Sequence, residues 1–119
     1  MTITLKGTPP SLNRFAGRQN AWEYRSAKDT WTAAVYYAVR GCKQRPAKPY
    51  QRASVEITYY FPTRGRRDPD NYSGKFLLDG LTRAGVIADD DFRHIRLTVA
   101  GEYDKERPRT VVRVTPAEA

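Results

Sequence analysis

Six aspartates, Asp68, Asp70, Asp79, Asp89, Asp90 and Asp91, fall between residues 68 and 91 beside only two cations, Lys75 and Arg83. That window nets −4 in a chain of formal charge +8, so the remaining residues carry +12. A basic body suits a polyanionic partner, and a carboxylate cluster inside it would repel that same partner unless a cation stands between them. The simplest reconciliation is a divalent metal. Ligand sets rich in oxygen and poor in nitrogen and sulfur select hard cations, Mg²⁺ above all with Mn²⁺ as its substitute, and Mg²⁺ works commonly on phosphates. Two such ions about 3.5–4 Å apart activate a water and stabilise the leaving oxygen of a phosphodiester.

The elements that must position these side chains are legible around them. Ser54 to Phe61 alternates, with Val55, Ile57, Tyr59 and Phe61 on one face, as a half-buried strand does. Asp68 and Asp70 are two apart, and Pro69 between them favours an extended Asp68, so the expectation is that both carboxylates point the same way. A helix is predicted from Asp70 or Asn71, with Leu77, Leu78, Leu81 and Ala84 as its apolar face and Gly85 as its stop. Lys75 then faces the same cleft, and Asp89 to Asp91 fold back onto the strand–helix junction. Arg64, Arg66 and Arg67 lie directly before the carboxylates, and guanidinium groups suit bidentate contacts to a phosphate there.

Asp68-Pro69-Asp70-Asn71, Lys75, Asp79-Gly80-Leu81, Ala84-Gly85-Val86 and Asp89-Asp90, with Pro9 to Arg14 near the N-terminus, resemble the RusA family of Holliday-junction resolvases. The resemblance spans residues 2 to 114 and implies a small homodimeric, Mg²⁺-dependent endonuclease that cuts branched DNA at four-way junctions. It further implies that Asp68, Asp70 and Asp90 are the catalytic, metal-binding carboxylates and Lys75 the essential lysine. Asp79 and Asp89 would then support the ligands, with Asp91 a weaker candidate. One departure is local: three residues, Tyr72-Ser73-Gly74, separate Asn71 from Lys75 where the family has two. An added residue turns a helix by about 100°, so either Gly74 forms an irregular first turn or Lys75 is not equivalent.

The rest of the chain reads as one domain over residues 1–119, with the tail 115–119 disordered. Thr2 to Lys6 is a strand; Ser26 to Asp29 resembles a capping box that opens a helix running to Arg40; Phe92 to Val99 is a strand whose polar face carries His94, read as a surface residue. Arg109 to Val114 closes a hairpin after a charged turn. The fold expected is α+β, a small mixed β-sheet with two helices packed on one face. Arg14 and Arg18 approach the DNA backbone on charge alone. With no run of 18 apolar residues, no leader and a single cysteine, Cys42, a cytoplasmic protein away from membranes is expected. The rival readings are a basic DNA-binding module without catalysis and a metal-dependent nuclease that prefers flaps or forks. The first would bind a junction without cutting it, and the second would cut other substrates as well.

Overall fold

The computed structural model describes residues 1–15 and 21–117. In order, it contains strand β1 (Thr2–Lys6), a 3₁₀ turn (Leu12–Phe15), helix α1 (Ala21–Arg40), strand β2 (Ala53–Phe61), a second 3₁₀ turn (Pro69–Tyr72), helix α2 (Lys75–Arg83), and strands β3 (Ile95–Tyr103) and β4 (Arg109–Pro116). The strands form one mixed sheet in the order β1-β4-β2-β3. This is the expected α+β architecture.

Alternation along β2 sets the layering. Ala53, Val55, Ile57, Tyr59 and Phe61 are buried and join Val112 and Val114 of β4 and Ile3 and Leu5 of β1 in one core. Val35 and Val39 of α1 and Leu77, Leu78 and Leu81 of α2 complete that core, so both helices cover the same face of the sheet. The helices cross closely: a Cβ at Gly80 would stand 2.6 Å from the Cβ of Val35. Thr32 donates a hydrogen bond to the Phe76 carbonyl at 3.5 Å across that crossing. Among the described residues, no helix lies on the other sheet face.

Four expectations are corrected by packing. Helix α1 is already formed at Ala21, a turn before Ser26, because Tyr24 extends the apolar stripe and sits edge-to-face between Phe15 (5.6 Å) and Phe76 (5.4 Å). Strand β3 begins at Ile95 and runs on to Tyr103, because β2 offers partners that far, from Ala53↔Ile95 to Phe61↔Tyr103. The hairpin with β4 is not formed: β3 lies parallel to β2, with α2 as the crossover that parallel strands require, and β4 pairs antiparallel with both β2 and β1. The most completely alternating strand has taken the interior, leaving β3 at an edge. Finally, Thr115 and Pro116 of the predicted tail belong to β4 and pair with Ser54 and Ala53, while residues 118 and 119 lie outside the described residues.

Candidate active site

The acidic stretch begins where β2 ends. Asp68 is extended (φ −101°, ψ 136°), as a residue before proline should be, but Asp70 lies inside the 3₁₀ turn that Pro69 starts. Strand alternation therefore stops at Asp68, and the argument that the two carboxylates point the same way does not hold. Asp68 spends its side chain on Arg66, whose Nε lies 3.3 Å from its Oδ1, with both groups exposed. Its main-chain carbonyl accepts from the Asn71 N–H at 3.0 Å, closing the turn.

The extra residue before Lys75 is absorbed by Gly74, in the left-handed conformation at φ 82°. Any side chain there would be strained, and its Cβ would stand 2.4 Å from Ile57 Cδ1. Helix α2 thus starts afresh at Lys75, not at Asp70 or Asn71. A cation in a first helical turn that contains no acid opposes the helix dipole, a local disadvantage of the kind seen at functional positions. The Lys75 ammonium lies 5.9 Å from the centroid of the Tyr24 ring, so α1 contributes to its placement. Pro9, Pro10 and Leu12 line a small cleft with Asn71 to Lys75, which brings the N-terminal motif against the same turn.

One turn further along α2, Asp79 meets Lys28 of α1 at 3.7 Å. Asp79 also faces the next acidic loop. Partial burial, and then the charges of Asp79 and Asp89, push the Asp90 carboxyl above the ordinary carboxylate range; the Asp89 carboxylate accepts from the Asp90 N–H at 2.8 Å. Asp90 and Asp91 line a cavity of about 960 Å³ with Leu78, Ile95 and Leu97 at the β3 edge. Asp68 lines a smaller cleft further along the same strand, beside Val99, Ala100 and Gly101.

Among the described residues, Asp89, Asp91 and His94 are the three that bring possible metal-ligating atoms within 4.8 Å of one another. Asp68, Asp70 and Asp90 are not that close. His94 is the member sequence reasoning passed over, because only the turn at 91–94 brings it to Asp91: its Nδ1 lies 2.5 Å from Asp91 Oδ1. That hydrogen bond holds the Asp91 carboxyl below its usual range. The donors that residues 68–91 offer are carboxylate oxygens, with the charges of Asp79 and Asp89 bearing on Asp90, and a hard divalent cation fits that chemistry.

The arginines divide by what they touch. Arg67 is turned back on its own loop, donating to the Thr63 and Gly65 carbonyls and to Thr63 Oγ1, with its guanidinium 4.3 Å from the Phe61 ring centroid. Arg66 is held by Asp68. Arg64 stacks on Tyr103 at 4.3 Å, which leaves the edge of its fork open. Arg14 is exposed on the first 3₁₀ turn, and Arg18 lies outside the described residues.

Comparison with known proteins gives the chain a family. Over 108 residues the chain is 29% identical to the "Crossover junction endodeoxyribonuclease RusA" of Aquifex aeolicus (strain VF5), covering 90% of this chain and 83% of that protein. Residues 7–115 match the family described as "Endodeoxyribonuclease RusA", a span that includes both 3₁₀ turns, α2 and the acidic loop. On that match the chain belongs to the RusA family of endodeoxyribonucleases.

Proposed function

We propose that this chain is a Mg²⁺-dependent, structure-selective endodeoxyribonuclease that resolves four-way DNA junctions as a cytoplasmic homodimer, with residues 1–119 as a single domain. The observation that carries the reading is that the family match over residues 7–115 contains Asp68, Asp70, Lys75 and Asp90 in one acidic stretch of a basic chain. Asp68, Asp70 and Asp90 are the residues that would hold magnesium. When bound, it supplies an activated water and charge stabilisation at the phosphorus. The charges that Asp79 and Asp89 place beside Asp90 would be offset by such a cation. Lys75, at the exposed start of α2, offsets charge that develops on the phosphate as the P–O bond breaks. Arg14, Arg18, Arg64, Arg66 and Arg67 serve the DNA backbone, with the open fork of Arg64 the most available of those described.

Resolving a junction needs two symmetry-related cuts, which a C2 pair provides. The uncovered β3 edge supports that pairing. It has a strand partner on one side only, and Leu97 and Tyr103 are exposed on it.

The test is cleavage of a synthetic four-way junction by the full chain, alongside linear duplex and flap substrates. The expected result is paired, symmetric nicks confined to the junction, dependent on Mg²⁺ and lost in Asp70→Asn. Equal cutting of all three substrates would remove the resolvase assignment. Tight junction binding with no cutting in any divalent metal would leave a binding module.

A further inference from the structure

We propose that the cavity between the starts of β2 and β3 is a second nucleic-acid contact, a seat for one backbone phosphodiester next to the cavity of Asp90, with which it shares Phe92, Ile95 and Arg96. It is about 410 Å³ and is lined by Arg52, Ser54, Phe92, Arg93, His94 and Arg96, among others, with no acidic residue. The strands explain why these side chains converge. Ser54 is the direct neighbour of Arg96 in the parallel register, and both stand on the sheet face that no helix covers. Arg52 and His94 lie one step outside that register, where two bonds join the two segments: Ala53 N–H donates to the His94 carbonyl at 2.9 Å and Arg52 Nε donates to the Arg93 carbonyl at 3.3 Å.

Charge is the deciding feature. Arg66, Arg109 and Arg113 each lie within 4.0 Å of a carboxylate, whereas among the described residues none does so with Arg52, Arg93 or Arg96. Asp91, two residues before Arg93 in the chain, is engaged by His94. Three guanidinium groups sharing one concavity repel each other and focus a positive potential, which an anion relieves. A phosphate group alone is far smaller than this space, so the cavity suits an anion with sugars on either side. Phe92, fully exposed at 104%, lines both this cavity and the one that holds Asp90. A strand crossing Phe92 therefore presents one phosphate to the carboxylates and another to the arginines.

The identity of the bearer as junction DNA rests on the nuclease reading, but the anion seat does not, and the experiment separates the two. Inorganic phosphate is titrated into the metal-free full chain and followed by NMR at the ring of His94, the only histidine, and at the Ser54 and Arg96 amides. Saturable shifts are expected there, and they should disappear in Arg93→Ala/Arg96→Ala while the remaining spectrum stays that of the folded chain. With a four-way junction, the plot of log affinity against log salt should be shallower in that variant by about 1, the loss of one phosphate contact. Absence of saturable shifts overturns the seat. Phosphate binding with an unchanged salt slope overturns its assignment to a DNA backbone and points to an acidic protein partner instead. If the wild type binds the junction but never cuts it, a shallower slope in the variant keeps this site while the nuclease reading fails.

Discussion

At the scale of single residues, Asp68, Asp79 and Asp91 each have a cationic or imidazole partner, whereas Asp90 stands among other carboxylates. Its folded pKa lies above the ordinary value, so stability is lost as the pH climbs from below the unfolded pKa through the folded one, and the deficit stays constant above that. Asp90→Asn should therefore raise the melting temperature at pH 7 and change it little at pH 3, while abolishing Mg²⁺-dependent cutting. Thermal scans at the two pH values check the first part, and junction cleavage the second. Mg²⁺ should in turn stabilise the wild type and do so less in the variant, since a cation bound by the folded state adds stability by mass action. Lys75 has a different signature. Because it is exposed and held by no carboxylate in the described residues, Lys75→Ala should leave folding intact and lower the single-turnover cutting rate by about 10²–10³-fold. A fall in junction affinity with an unchanged single-turnover rate would make it a binding residue only.

At the scale of elements, the placement of Lys75 depends on how tightly α1 and α2 cross. Gly80 permits that crossing, and a methyl there runs into Val35. Gly80→Ala should destabilise the domain by about 1–3 kcal/mol, the usual result of overfilling a packed contact. Combining it with Val35→Ala should recover part of that loss, since the second change removes the obstructing atoms; a urea-denaturation double-mutant cycle measures the coupling. Additive losses would mean the helices have moved apart. The same crossing explains why α1 begins before its capping-box-like segment. Tyr24 gains two ring neighbours by being helical, and tertiary packing of this kind outweighs a local cap.

At the scale of the whole molecule, two surfaces have no covering among the described residues: the helix-free face of the sheet and the edge of β3. The proposed homodimer uses the edge. Leu97→Glu should then give a folded monomer by sedimentation velocity, with unchanged far-UV circular dichroism. A variant that remains dimeric would place the interface elsewhere. The long basic loop from Gly41 to Arg52 leads straight to the arginine cavity, so the positive surface continues from loop to sheet.

What the amino-acid sequence determined by itself was local: the alternation of β2, the apolar face of α2, the acidic stretch with its family motif, and the α+β class. Each of these is written in neighbouring residues whose period or type has one physical meaning. Tertiary structure alone decided which strand took the edge, that Asp70 turned away from the extended run holding Asp68, and that Gly74 restarted a helix at Lys75. It also brought Asp79 up to Asp90, His94 to Asp91, and Arg52 to Arg93 and Arg96. Those outcomes depend on competition for burial and on pairings across long stretches of chain, and no spacing within a single segment encodes them.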